Sequence, residues 1–448
     1  MSLQPADLDA LVEDRPAEGV FRVRREAFLD PQLFELEMQR VFEGTWQFVG
    51  MESQVARPHD YFTAMLGRQP VVVSRDGDGR LMCFLNSCRH RGGIVVPYAS
   101  GNAAHHICRY HGWSYASSGR NTGITHREEG RYPPGFAEEN HDLAPVARFA
   151  GYKGFLFASL SADVPPLEEH LGESRAFLDL VADQSPRGLE LIAGTITYTF
   201  EGNWKLQFEN GLDFYHFAST HASYVEVSKQ RQQRHGIEAG PRWSEAETSD
   251  QGTFNFGRGH AVMWSNRNSL RVTRPLTQDA DAVAALTERV GEARARWMHL
   301  NRNLTIFPNM QLIDVTSLQL RLWRPLAVDR TEMTSWCLAP VGESAAARKR
   351  RIRQYEDFFN PSGLATSDDN VIYELQQAGL PARAAGWTQG HLRGLGSFGS
   401  GQNAHADELG FKPESWITGS FQMGSETCFH TGYREWLRLL KKGASAAS

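Results

Sequence analysis

Two cysteines and four histidines fall within residues 88–113, CRHRGGIVVPYASGNAAHHICRYHGW, of a chain with 5 cysteines and 16 histidines in 448 residues. They include two mixed pairs, Cys88-x-His90 and Cys108-x-x-His111. Thiolate and imidazole are metal donors, and tetrahedral zinc would accept two of each. The one-residue gap of the first pair is shorter than ordinary zinc-finger spacing. Mixed pairs also let each loop send its cysteine to one iron and its histidine to another. That is the division in a [2Fe–2S] cluster where two histidines replace two cysteines on one iron. Gly92, Gly93 and Gly112 flank the donors and allow backbone amides to approach sulfur closely. Arg109, after the second cysteine, either favours a reduced cluster or faces solvent; His105 and His106 read as surface polar residues.

A second set of metal-capable side chains lies in NWKLQFENGLDFYHFASTH (203–221). Asn210, Asp213 and His216 recur every third residue, so on a helix they would share one face. His221 stands five positions beyond His216, about 140° around an ideal helix. The two imidazoles can converge if the helix ends near 217–219 and the chain turns. Taken alone, two histidines this close carry little weight. The pair Asp368–Asp369 in FFNPSGLATSDDNVIYELQQ reads first as helix N-terminal chemistry, where carboxylates suit the free amides and the dipole.

The elements that must position these residues follow from patterning. Residues 31–44 place Leu33, Phe34, Met38, Val41 and Phe42 at helical spacing. From Trp46 to Ser161 the texture is short β-like runs broken by turns, with RDGDGR (75–80) as a hairpin connection and GYKGFLFASL (151–160) as the last strand. Both Cys/His pairs then lie in loops of a small all-β domain. After an amphipathic helix at 164–181, strands such as LIAGTITYTFEG, SLQLRLWRPL and MTSWCLAP alternate with helices at 345–360 and 369–379. This is α+β patterning with an antiparallel sheet. GLGSFGSGQNA (394–404) reads as a loop, and TGYREWLRLLKKG as a surface helix. The division expected is 1–45 as a helical lead-in packing on the larger domain, 46–161 as the cluster domain, and 162–448 as that larger domain with surrounding helices.

Composition narrows the function classes. Charged residues are 22% and apolar residues 41% of the chain, which is ordinary globular usage. A net charge of −5 argues against nucleic acid or an anionic membrane as the main partner. No apolar run nears the roughly 18 residues of a membrane span, and the acidic N-terminus lacks signal-peptide features. Cys83, Cys337 and Cys428 suggest no paired disulfide framework. A reduced, cytoplasmic protein is expected.

CRHRGG and CRYHGW closely resemble the two boxes of Rieske [2Fe–2S] domains. N-x-x-D-x-x-H-x-x-x-x-H downstream of them resembles the iron motif of Rieske non-haem iron oxygenases, the α subunits of aromatic-ring-hydroxylating dioxygenases. FELEMQRVFEGTW (34–46), EGNWKLQFENGLDFYH (201–216) and RLWRPLAVDRTEMTSWCLAPVGES (321–344) are similar to the benzoate, anthranilate and halobenzoate branch. The resemblance implies Cys88 and Cys108 on one iron, His90 and His111 on the other, and mononuclear Fe(II) on His216, His221 and Asp369. Asp368 is left to the helix. Asp213 is implied to bond His216 and to face a cluster histidine of a neighbouring subunit, here His111. Cis-dihydroxylation of an aromatic carboxylate with O2 is implied, with NADH-derived electrons arriving through a separate reductase, with or without a ferredoxin. Trimers are implied, α3β3 with a small β subunit or α3 without one.

Phe208, Phe307 and Phe359 are candidate ring contacts, beside Asn210. Arg302 and Asn303 are candidates for the substrate carboxylate, because a buried carboxylate needs a partner. Phe214, where the branch commonly has glycine, and FASTHASYVEV reshape the pocket and leave the substrate open. Two alternatives stand: a Rieske monooxygenase hydroxylating a salicylate-like ring, and a zinc-stabilised binding protein without catalysis.

Overall fold

The computed structural model describes residues 5–234, 250–266, 274–277, 279–420 and 424–442. The chain divides into two compact units, Phe42–Leu167, and Met1–Val41 with Glu168–Ser448.

The smaller unit is built from short antiparallel strands. Asp60–Leu66, Gln69–Arg75 and Leu81–Leu85 form a meander, with Ser100–Asn102 beside Asp60–Leu66. The RDGDGR turn joins the second and third of these, and Asp76 tightens it by accepting the Asp78 and Arg80 amides. His105–Ile107, Ser114–Ala116 and Asn121–Gly123 form a second sheet, and Gln47–Met51 pairs with the hairpin Arg148–Tyr152/Phe155–Ser159. Alternation along His105–Ile107 turns His106 inward, where it is 6% exposed and edge-on to Tyr61. It is therefore a core residue and not the surface group expected; His105 is exposed.

The larger unit is organised by a nine-stranded antiparallel sheet. Leu189–Leu191 and Ile196–Phe200 both pair along Arg330–Pro340. The order continues through Leu318–Ala327, Met310–Asp314, Asn301–Ile306, His260–Ser265, Asp250–Gly257 and Ser415–Ser420. The helices that matter for the site are α1 (Pro31–Glu37), α2 (Trp204–Asn210), α3 (Phe217–Thr220), α4 (Thr366–Gly379) and α5 (Phe429–Lys441). Asp30 caps α1 with Pro31 in its first turn, and Asn203 caps α2 through the Lys205 amide. The expected C-terminal surface helix is α5, and it is far from superficial: Phe429, Tyr433, Trp436, Leu439 and Leu440 are buried.

An ion pair sealed from water ties α1, α2 and α5 together. Lys205 and Glu37 are each 1% exposed and in contact. The Glu37 carboxylate also accepts the indole N–H groups of Trp204 at 2.9 Å and Trp436 at 2.8 Å. Lys205 Nζ donates to the Ala27 carbonyl and Asn203 Oδ1 and lies over the Phe28, Trp204 and Trp436 rings. Burial pushes the Lys205 pKa down, and the Glu37 charge opposes that shift. Removing one member of such a pair strands the other charge in a dry interior. Glu37→Ala is therefore expected to lose about 3–5 kcal/mol in urea unfolding. The double variant Glu37→Ala/Lys205→Met is expected to lose less than the single one; equal or larger loss would contradict the ion-pair account.

Candidate metal centres

In the smaller unit two glycine-turned loops present the Cys/His pairs. The Gly93 carbonyl accepts the Cys88 amide and the Trp113 carbonyl accepts the Cys108 amide, each at 2.8 Å. Gly92 and Gly112 return their amides to the cysteine carbonyls from φ of +73° and +74°, a region that suits glycine. Asn86 staples the first loop: its Oδ1 accepts the Val95 and Val96 amides, and its Nδ2 donates to the Val96 carbonyl. A Cβ on Gly93 would stand 3.6 Å from Cys108 Sγ, so the two loops face one another.

The donor chemistry is segregated. Cys88 and Cys108 are buried, whereas His90 is exposed and His111 half-buried. The two Nδ1 atoms converge at 3.1 Å, as two imidazoles directed at one ion must. His90 stacks on Trp113 and His111 lies against Tyr110. Inner thiols and outer imidazoles fit a cluster with one sulfur-held and one nitrogen-held iron. Arg109 is exposed, its guanidinium bonded to the Tyr98 hydroxyl and over that ring.

In the larger unit the expected continuous helix through His216 does not form. Helix α2 stops at Asn210, and the chain turns through 211–216 before α3. The last-turn carbonyls of α2 have no partner within the helix and are met by sheet side chains. Gln311 Nε2 reaches the Gln207 and Phe208 carbonyls, and Asn303 Nδ2 donates to the Gly211 carbonyl at 3.0 Å. Asp213 then nucleates the next turn by accepting the Tyr215 amide. Asn210, Asp213 and His216 thus do not share one helical face, yet the turn brings all three together.

Three donor atoms meet between α2, α3 and the first turn of α4. His216 Nε2 is 3.3 Å from His221 Nε2 and 3.6 Å from Asp369 Oδ1, and His221 Nε2 is 3.2 Å from that oxygen. All three lie within 4.8 Å of one another, the only such group of three among the described residues. Two of the three are held by a neighbouring side chain. Asp213 Oδ2 lies 3.1 Å from His216 Nδ1, which leaves Nε2 free as the donor. Asn210 Nδ2 donates to Asp369 Oδ1 at 3.1 Å. Asp369 is 5% exposed; burial raises its carboxyl pKa, and the facing imidazoles and the Arg321 charge bring it below the usual value. Asp368 does more than serve the helix terminus, since its Oδ2 stands 3.5 Å from His221 Nδ1.

The remaining candidates separate. Asn303 stays with Gly211, while Arg302, one residue earlier on the same strand, turns to the opposite face. There its guanidinium is bound to Asp314, which Arg274 also engages, so Arg302 is structural. Phe208 packs against Gly432, Phe307 and Tyr433, and Phe307 against Gly259 and Trp204. Both are core. Phe359 is fully buried with Ile313, Cys337 and Tyr355. The aromatic rings against His221 are instead Phe217 and Phe358, at 5.3 and 5.9 Å. Also unforeseen is Arg321, buried, bonded through Nε to Gln319, and without an ion-pair partner among the described residues. A pocket of ≈ 220 Å³ opens beside Asp213 and His216, with Glu209, His391 and Glu426 on its wall. Burial, reinforced by the Asp213 charge, raises the Glu426 pKa to about 7.

The sequence profile described as "Ring hydroxylating alpha subunit (catalytic domain)" matches residues 191–438, and that of the "Rieske [2Fe-2S] domain" matches residues 45–136. The chain belongs to the ring-hydroxylating α-subunit family. It is 44% identical to toluate 1,2-dioxygenase subunit alpha of Pseudomonas putida, over 91% of this chain and 89% of the relative. It is 39% identical to the anthranilate 1,2-dioxygenase large subunit of Acinetobacter baylyi, over 96% and 92%. Naphthalene 1,2-dioxygenase from Rhodococcus sp. bound to indole superposes with a TM-score of 0.79 at 24% identity, covering 94% and 95% of the two chains, which shows the fold. This ring-hydroxylating α subunit is an oxygenase with a Rieske [2Fe–2S] domain and a mononuclear-iron catalytic domain, and the zinc-binding alternative is set aside.

Gly211 offers a test of how tightly the sheet places the turn. A Cβ there would meet the Gln311 amide at 2.0 Å, while the φ of −68° is one any residue adopts. Gly211→Ala is therefore expected to destabilise by about 1–3 kcal/mol through overpacking alone. A stability within error of wild type in chemical denaturation would show that the turn has room.

Proposed function

We propose that this chain is the large subunit of a terminal oxygenase that cis-dihydroxylates an aromatic carboxylate, with iron on His216, His221 and Asp369. The observation that carries the reading is the convergence of one carboxylate and two imidazole donors in a chain that also holds a Rieske domain. Two histidines and one carboxylate on one side of an ion are the donor set of non-haem iron oxygenases. The cluster ligands are Cys88 and Cys108 for one iron, His90 and His111 for the other. The domains follow: 1–45 as lead-in, 46–161 for the cluster and 162–448 for catalysis. Bound there, iron supplies redox chemistry with O2, and the cluster supplies electrons singly.

The chain's own residues do the positioning. Asp213 holds the Nδ1 proton of His216, so the ring keeps one tautomer and presents Nε2. Asn210 fixes one Asp369 oxygen, and Asp368 faces the outer nitrogen of His221. Phe217 and Phe358 give the His221 side an apolar wall against which a ring can lie. Asn303 is held by Gly211, and its amide oxygen is buried without a hydrogen-bond partner among the described residues. With Arg302 taken by Asp314, the positive field near Asp369 comes from Arg321, and it favours an anionic substrate. The relatives named for toluate and anthranilate support the carboxylate class.

Exposed apolar side chains fit an assembled form of the same reading. Val371, Ile372 and Leu375 on α4 and Tyr215 beside Asp213 are exposed, as are Ile94, Tyr98, Ile107 and Tyr110 on the cluster unit. Apolar groups so placed are what a subunit interface covers. The arrangement proposed is a trimer, α3β3 or α3, in which Asp213 of one subunit faces His111 of the next. Electrons come from NADH through a reductase, directly or by a ferredoxin. No helix among the described residues is long and apolar enough to cross a membrane, and a cytoplasmic location is proposed.

Asp369→Ala is expected to keep the cluster's visible spectrum while losing mononuclear iron and turnover. Asp368→Asn is expected to weaken iron retention about tenfold, the usual cost of removing a carboxylate behind a ligand imidazole. Metal analysis and competition with a chelator read both; full mononuclear iron in Asp369→Ala would overturn the ligand assignment.

With reductase, NADH and O2, benzoate and its ring-substituted relatives are expected to yield cis-diols, and naphthalene none. Mass spectrometry of the products decides. Phenolic products alone would indicate monohydroxylation, and naphthalene turnover without any benzoate turnover would contradict the substrate class.

A further inference from the structure

The turn that carries Asp213 and His216 lies over one face of the nine-stranded sheet, because Asn303 reaches the Gly211 carbonyl from that face. Met263 and Ile313 stand directly opposite Asn303 on the two neighbouring strands, so all three side chains project to the same side. They form a floor two strand spacings long, about 10 Å, beneath the turn. At its Ile313 end the floor packs against Phe359, whose neighbour Phe358 lies 5.9 Å from His221. At its Met263 end it meets Phe214. A Cβ on Gly424 would stand 3.5 Å from Phe214 Cβ and 3.7 Å from Met263 Sδ, so both side chains converge on that glycine. Met263 is covered, at 1% exposure, whereas Phe214 is half-buried.

We infer that Phe214 determines the size of substrate this site accepts: its ring fills the Met263 end of the floor and limits the site to single-ring aromatic carboxylates. The inference rests on the mononuclear site proposed above and narrows its substrate class. Phe214 stands one residue from Asp213 and two from His216, so the turn that sets the ligand also sets the ring. A ring oxidised beside His216 and His221 lies between those donors and the floor. A fused second ring or a branched substituent opposite the carboxylate lengthens such a molecule by several carbon atoms. The room it needs is the room the Phe214 ring holds. Forcing extra carbons into a filled apolar space costs strain that neighbouring side chains cannot relieve by small shifts. Replacing the ring by a methyl group leaves the turn's backbone in place and frees the Met263 end.

The test compares kcat/KM for benzoate, 4-tert-butylbenzoate and 2-naphthoate, using the iron- and cluster-loaded enzyme with reductase, NADH and O2. Wild type is expected to prefer benzoate to both larger acids. In Phe214→Ala that preference is expected to shrink about tenfold, through lower KM for the larger acids. A merely structural role would lower all three values together and leave their ratios where they were. Unchanged ratios in an iron-loaded Phe214→Ala protein would therefore overturn the inference. So would a wild type that oxidises 2-naphthoate as readily as benzoate. Should the alanine variant fail to fold or to hold iron, Phe214→Leu keeps an apolar side chain against Met263 while shortening it. Its ratios are expected to move in the same direction, and unchanged ratios there would overturn the inference equally. A wild type that oxidises none of the three acids would count against the proposed substrate class instead.

Discussion

The Glu37 carboxylate, buried with the Lys205 ammonium and the indoles of Trp204 and Trp436, fixes α2 from three directions. Every group proposed to work at the mononuclear site depends on where α2 ends. Asn210 is its last residue, Gly211 its cap, and Asp213 and His216 follow within the same turn. An unpaired charge at this depth would be costly, so the pair locks the N-terminal segment, α2 and the C-terminal helix into one arrangement. Gln377 and Tyr373 of α4 bond Asn203 and Gln207, so the helix bearing Asp369 is referenced to the same element.

The two metal centres use this rigidity differently. The mononuclear donors come from two distant stretches of chain; Asp213 bonds His216 and Asn210 bonds Asp369, while Asp368 Oδ2 stands near His221 Nδ1 without a hydrogen bond. Such support keeps donor atoms close before an ion arrives and lowers the entropy cost of binding it. The cluster loops are local instead. Glycine turns and the Asn86 staple set them, thiols inside and imidazoles at the surface, where a redox partner can approach.

What could be read in the sequence was chemistry carried by rare residue types at fixed spacing. The Cys/His boxes, the 210–221 motif and the α+β order need no knowledge of long-range contacts. The Asp368–Asp369 pair was harder, because a helix N-terminus explains it equally well, and only the fold shows that both face His221. Residues whose meaning depends on a distant partner were not legible. Arg302 is ordinary in sequence until Asp314 appears beside it, and Phe208 and Phe307 become core only once Gly432 and Gly259 make room. The three-residue period that suggested one helical face failed because α2 ends at Asn210, where side chains of the distant residues Gln311 and Asn303 take the carbonyls at its end. Phe358 was hidden by its neighbour Phe359, two adjacent aromatics at the end of the helix Ala345–Phe358 whose rings diverge.

Anomalous diffraction from crystals of the iron-loaded protein, recorded on both sides of the iron absorption edge, tests the account most directly. It predicts one iron peak bounded by His216 Nε2, His221 Nε2 and Asp369 Oδ1. It also predicts a two-iron peak with Cys88 and Cys108 at one end and His90 and His111 at the other. A peak that follows the zinc edge at either place, or no density among His216, His221 and Asp369 in protein that turns over, would contradict it.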